Sequence, residues 1–312
     1  MTDINTEIVS LLIKEKRTDR IWRNIRFGTV AFLVLLFLAI VTVSTRPEAD
    51  DELQIDTTLP YAAVVSLEGD VEAGKSFSSH RAIPLLKRAF EDKKAAAVIL
   101  LINSPGGSPV HAADIYHEIR FLKKNNPKTR VIVVGEDMLT SAAYLVASAA
   151  DEIYVNPNTV AGSIGVVNSG FGFNKLLDKI GVDRRVITAG TNKARMDPYK
   201  PLNETDKLKM ERVLAEVHKN FVSDVKAGRG NRLKGNPEQL FSGDFWTGKE
   251  AVTLGLVDGL GSFETILRKV GVKQYRLYSE KSSMVSQILR RLDEQVSVKI
   301  DALTTQKISA KF

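Results

Sequence analysis

Residues 95–108 read AAAVILLINSPGGS, and this stretch decides the fold. Ala97 to Ile102 form an unbroken apolar run, too uniform for a strand with one face in water. It ends in Asn103-Ser104-Pro105-Gly106-Gly107-Ser108, a turn that leads into the helical spacing of HAADIYHEIRFLKKN, 111–125. A strand covered on both faces, a glycine turn and a helix make one β-α unit of a parallel sheet. The pattern repeats on either side. AAVVSLEG (62–69) predicts a strand, AIPLLKRAFEDKK (82–94) a helix and RVIVVGED (130–137) another buried strand. TSAAYLVASAA (140–150) predicts a helix of small residues, and DEIYVNP (151–157) is short and extended. Beyond them, 207–230 predicts a long amphipathic helix and 248–271 two helical pieces around Gly255 and Gly259.

Composition narrows the function classes. The chain has 312 residues, 44% hydrophobic and 26% charged, as in an ordinary globular protein. Its net charge of +7 comes without a basic-aromatic motif of the kind that binds nucleic acid. With no cysteine there is no disulfide, no thiolate nucleophile and no cysteine-ligated metal. Histidine is scarce: His80, His111, His117 and His218.

Phe27 to Val43 is an uncharged apolar run of 17 residues, close to the roughly 17–25 that span a bilayer. Lys14, Lys16, Arg17, Arg20, Arg23 and Arg26 precede it, and Glu48, Asp50, Asp51 and Glu52 follow. The positive-inside rule places the N-terminus in the cytoplasm and the rest of the chain across the membrane. The expected organisation is a basic cytoplasmic segment (1–26), a retained transmembrane signal anchor (27–45), a polar linker (46–58), a catalytic domain (59–275) and a helical tail (276–312). In that tail Met284, Val285, Ile288, Leu289, Leu292 and Val296 share one side of a helix, for packing or for contact with another surface.

Two stretches carry chemistry. The amides of the Asn103–Ser108 turn lie at a helix N-terminus, where unpaired N–H groups favour negative charge. Met138-Leu139-Thr140-Ser141-Ala142-Ala143-Tyr144 sets a serine between a strand and a helix, either as an N-cap or as a nucleophile. A nucleophile needs a base. A histidine is not excluded by chain order, and a lysine, here Lys193 in TAGTNKARMDP, serves if burial disfavours its charge. Gly69-Asp70-Val71-Glu72-Ala73-Gly74-Lys75-Ser76 satisfies the phosphate-binding pattern G-x-x-x-x-G-K-S. Pro84, inside the helix such a loop would enter, and the want of a strand ending in aspartate argue against nucleotide binding.

Taken together, NSPGG, TSAAY followed by ASAADEIYVNP, AGSIGV, AGTNK with a downstream Pro198, and GKEAVTLGLVDGLG resemble the signal peptide peptidase A (protease IV) family. The likeness covers roughly 62–270. It implies an α/β fold of the crotonase/Clp-protease kind, built of stacked β-β-α units, and a self-compartmentalising ring of subunits. It also implies cleavage of membrane-associated peptides such as signal-peptide remnants, with the catalytic domain on the periplasmic side of the inner membrane. By the same resemblance Ser141 is the nucleophile and Lys193, 52 residues on, the general base. The amides of Gly107 and Ala142 form the oxyanion hole, and Ser163 orients the lysine. No metal or cofactor is implied. This sequence has Ala142-Ala143 where the family usually has two glycines, and Asn192 where it often has an aromatic residue. An alanine keeps the N–H, but the hole survives only if the backbone there avoids positive φ. Two other readings keep the fold: a crotonase-type acyl-CoA enzyme, at odds with an extracytoplasmic domain, and a catalytically weak binding scaffold.

Overall fold

The computed structural model describes residue 22, residues 24–34 and residues 56–279. The chain divides into two units, 1–51 with 281–312 and 52–280. Of the first, helical backbone is described through 24–34, with Ile25, Phe27, Val30, Phe32, Leu33 and Val34 exposed. Among the described residues no helix is long and apolar enough to cross a membrane. The expected anchor (27–45) and the expected tail fall largely outside the described residues.

The second unit is built on an eight-stranded sheet. Its strands are β1 (Tyr61–Glu68), β2 (Ala95–Ser104), β3 (Val131–Thr140), β4 (Glu152–Val155), β5 (Val160–Gly162), β6 (Phe245–Thr247), β7 (Gly259–Leu260) and β8 (Gln274–Tyr278). The main path runs β6-β5-β3-β2-β1-β8, and β4 branches from β3 to reach β7. All pairings are parallel except β5 with β6. The predicted fold class holds as a mixed α/β sheet, with helices α1 (Ser79–Glu91) and α2 (Pro109–Asn125) in the first two crossovers. β8 extends past 275, the expected end of this domain.

The uniform apolar strands split their side chains between two cores, as period-two backbone requires. Val65 and Leu67 of β1, Val98, Leu100 and Ile102 of β2 and Val131 and Val133 of β3 face the core under α1 and α2. Val64, Ile99, Ile132 and Val134 face the other, smaller core, closed by Ile266 and Leu267 of a helix at Phe263–Val270.

α1 corrects one detail. It begins at Ser79, three residues before the predicted start, so Pro84 lies inside it. Even so, Lys75-Ser76 does not enter the helix as a phosphate loop would, because the chain turns through 72–78 first.

Asp92, after α1, ties the sheet edge together. Its carboxylate accepts from the hydroxyls of Tyr61 (2.8 Å) and Tyr278 (2.7 Å) and from the Lys94 N–H (3.1 Å), with Arg276 at 3.4 Å. Burial pulls its pKa upward, but the hydrogen bonds of Tyr278, Tyr61 and Lys94 and the charge of Arg276 outweigh it and hold the carboxyl below its ordinary range. Burial and then the Asp92 contact push the Tyr278 phenol up to about 12. A carboxyl depressed on folding stabilises above its unfolded-state pKa, and that contribution is lost as pH falls through the folded value. Asp92→Asn is therefore expected to lower the thermal midpoint at neutral pH, the gap from the parent shrinking as pH falls below the ordinary carboxylate range. Thermal melts at several pH values check this.

Candidate active site

Ile132 to Gly135 of β3 pair with β4, after which Met138–Thr140 pair with β5. This change of partner carries the chain into Ser141 and the buried helix α3 (Ala142–Ser148). The helix is packed on all sides. Its Tyr144 hydroxyl donates to the Leu256 carbonyl at 2.7 Å, and burial pushes that phenol up, far from ionising. Helix α5 (Glu204–Arg229) follows a short helix α4 (Asn174–Ile180) and crosses so close that a Cβ on Gly228 would lie 2.1 Å from the Ser148 carbonyl oxygen. The next residue, Arg229, is fully buried and bonds Asp258 (2.7 and 3.0 Å) and the Gly255 carbonyl. Removing one partner of such a pair costs about 3–5 kcal/mol, so this contact anchors α5 behind α3.

Ser141 has φ 53° and ψ −124°. That is the conformation of the first central residue of a type II′ turn, which suits glycine and strains a side-chain-bearing residue. Its N–H donates to the Gly162 carbonyl (2.8 Å) and its carbonyl accepts from Leu145 (3.1 Å). Its hydroxyl caps no helix N–H, and among the described residues it has no hydrogen-bond partner. The N-cap alternative therefore fails: the backbone is held in strain and the hydroxyl is left free.

The glycine turn lies against this serine. A Cβ on Gly106 would sit 2.6 Å from the Ser141 Cβ and 3.0 Å from the Ala142 nitrogen. The Gly106 N–H donates to the buried Ser104 hydroxyl at 3.1 Å, and the Thr140 hydroxyl donates to the Pro105 carbonyl at 2.9 Å. Val71 pairs with Gly107 in parallel: its N–H donates to the Gly106 carbonyl (2.8 Å) and its carbonyl accepts from Ser108 (2.6 Å). A parallel bridge of this form uses the groups flanking Gly107 and turns Gly107's own N–H to the opposite side. The Ala142 N–H, first in its helix, likewise has no intrahelical acceptor. Ala142 and Ala143 are not among the positive-φ residues, so the two alanines fit without strain.

Gly107 has φ 142°, and a Cβ there would lie 2.4 Å from the Val71 carbonyl oxygen. If Gly107 is the oxyanion donor that the family resemblance implies, Gly107→Ala is expected to turn this peptide and lower kcat by on the order of 10²–10³-fold, the scale of one such donor lost. Steady-state kinetics with a chromogenic peptide checks it.

Ser163 follows Gly162 directly and also has positive φ (53°). Its N–H donates to the Asp244 carbonyl at 2.7 Å, and the His218 ring bonds the neighbouring Ile164 carbonyl at 3.2 Å. Lys193 stands apart. It is exposed in an irregular turn, its N–H donates to Gly190, and no hydrogen bond or ion pair joins its amine to Ser141 or Ser163. None of the four histidines bonds Ser141: His111 bonds Ser79, His117 lies 3.7 Å from Asp224, and His80 stacks edge-on to His111. Among the described residues no cluster of His, Asp or Glu could hold a metal. The fold thus gathers Ser141, Ala142, Gly107 and Ser163 and leaves Lys193 on the surrounding surface. Sequence reasoning passed over Val71 and the Gly162 carbonyl, which act through backbone atoms; the clue to Val71 was its place between Gly69 and Gly74, in a loop with no phosphate to hold.

The matching families agree with this frame. Peptidase family S49 matches residues 123–274, and Clp protease matches residues 50–161. A putative protease of Synechocystis is 30% identical over 208 residues, covering 67% of this chain and 72% of that protein. A putative signal peptide peptidase SppA of Enterococcus faecium is 31% identical over 201 residues, 64% of this chain and 57% of that protein. A Brucella abortus protein named Na(+)/H(+) antiporter NhaA is 44% identical over 220 residues, 69% of this chain but 29% of that protein. The chain thus spans less than a third of one of these relatives and just over half of another. On the matched families and the Synechocystis relative, the chain belongs to peptidase family S49, the signal peptide peptidase A (protease IV) family.

Proposed function

We propose that the chain is a membrane-anchored serine endopeptidase that cleaves membrane-associated peptides by a Ser141/Lys193 dyad. The observation that carries this reading is Ser141, strained, its hydroxyl without a hydrogen-bond partner among the described residues, set at the first N–H of α3 and against the Gly106–Gly107 turn. Neutral Lys193 takes the Ser141 proton as Oγ attacks the peptide carbonyl. The two N–H groups hold the oxyanion that forms. The lysine then gives its proton to the leaving amine, and water, activated the same way, releases the acid from Ser141. Ser163 orients the amine. The mechanism calls for no metal or cofactor.

Lys193 must come to Ser141, and its surroundings suggest how. Val167, Phe171, Leu176 and Ile187 of the flanking segment are exposed, and α4 buries no residue. Apolar surface of this kind is what association covers. In this reading copies of the chain assemble into a ring, covering the segment and setting the lysine beside a serine. The apolar run at 27–43 anchors the chain in the inner membrane, N-terminus in the cytoplasm and peptidase unit on the periplasmic side. The exposure of Lys193, with no hydrogen bond to Ser141, favours a second reading, a catalytically weak scaffold of the same fold.

The test is cleavage of apolar peptides by the assembled full chain across pH. A lysine base works only when neutral, so activity should rise toward alkaline pH and vanish in Ser141→Ala. Assembled, folded protein with no Ser141-dependent cleavage of a broad peptide set would favour the scaffold.

A further inference from the structure

The loop after β1 is joined to the glycine turn at two places, and only the first lies at Gly107. There Val71 bonds Gly106 and Ser108. The second joins the first residue of α1 to the third residue of α2: Ser79 Oγ lies 2.8 Å and the Ser79 N–H nitrogen 3.4 Å from Nδ1 of His111. Ser79 is 2% exposed, so its polar atoms have little recourse to water. The residues preceding these helices, Ser78 and Ser108, make no side-chain cap. His111 therefore does for α1 what a capping side chain would do. A backbone N–H can only donate, so Nδ1 accepts and the ring proton sits on Nε2. The ring that faces His111 is His80, edge-on at 6.0 Å.

We infer that His111 is a positioning residue for the oxyanion turn. Through Ser79 it fastens the far end of the 71–79 segment to the first turn of α2. The near end, Val71, is then held against Gly106 and Ser108, and the Gly107 N–H keeps its direction away from Val71. The histidine acts through the loop and does not touch the reacting atoms. The inference rests on the reading of Ser141 as nucleophile and Gly107 as oxyanion donor.

The test compares the full chain with His111→Ala, His111→Asn and His111→Gln, with Ser141→Ala as blank. Asparagine places an acceptor near the position of Nδ1; glutamine carries it one carbon further out. Since small misplacements of catalytic groups cost large factors, His111→Ala should lower kcat about tenfold or more with KM within about twofold. His111→Asn should restore most of kcat and His111→Gln should not. Hydrogen exchange in peptides 69–79 and 104–112 should quicken in His111→Ala and stay near the parent in His111→Asn, while β1–β3 remain protected. The proposal is overturned if kcat and exchange are unchanged in His111→Ala, or if glutamine rescues as well as asparagine. Should His111→Ala fail to fold, the asparagine and glutamine variants decide. A parent chain without Ser141-dependent turnover would sink the peptidase reading instead, and the exchange comparison would still decide whether His111 clamps the loop.

Discussion

Ser141→Ala is expected to lower kcat by on the order of 10⁶-fold while the protein stays folded, because catalytic groups that act as a unit fail together. Among the described residues the hydroxyl makes no hydrogen bond, so its loss is expected to remove chemistry and not structure. The backbone makes a sharper companion variant. At φ 53° and ψ −124° a Cβ is strained, and alanine keeps that strain while glycine releases it. Such strain costs about 1–3 kcal/mol, so Ser141→Gly should melt several degrees above Ser141→Ala. Both should be inactive. A serine kept where glycine would be more stable is held there for its side chain, and equal melting points would contradict that account.

Lys193→Ala is expected to lower kcat by about 10²–10⁴-fold, the contribution of a positioned general base. Adding it to Ser141→Ala should cost almost nothing further, since a base without its nucleophile has no work to do. Lys193→Arg should not rescue, because a guanidinium remains charged and cannot accept the proton. The exposed place of Lys193 adds a distinctive expectation. If assembly brings the lysine of one copy to the serine of another, co-assembled Ser141→Ala and Lys193→Ala chains should regain activity that neither has alone. Mixtures that stay inactive after subunit exchange would confine the dyad to one chain.

The sheet was legible in the sequence because buried parallel strands leave unbroken apolar runs, and 98–102 and 131–134 are such runs. Three features were not. α1 starts at Ser79, three residues before the expected Ala82, where His111 of another helix caps it, a contact with no local sequence signal. β8 escaped because its pattern, Gln274 to Tyr278, alternates weakly and is fixed by pairing with β1 far along the chain. The role of Val71 rests on its N–H and C=O, which every residue carries. At the site, Ser141 and the glycine turn were legible as a strand-turn-helix pattern, but the positive φ that sets Ser141 apart from an ordinary N-cap was not. The doubt over Ala142 and Ala143 was set by one backbone angle, and the helix resolves it. Lys193 was singled out only through family resemblance, since one exposed lysine in a polar turn looks like any other.

The account turns on Ser141 as the group that attacks. The most direct measurement is reaction of the assembled full chain with a fluorophosphonate, followed by intact mass and peptide mapping. The account predicts one adduct per active site, on the peptide carrying Ser141, forming faster as pH rises and absent in Ser141→Ala. An adduct on another serine, or undiminished peptide cleavage with Ser141 unlabelled, would contradict it.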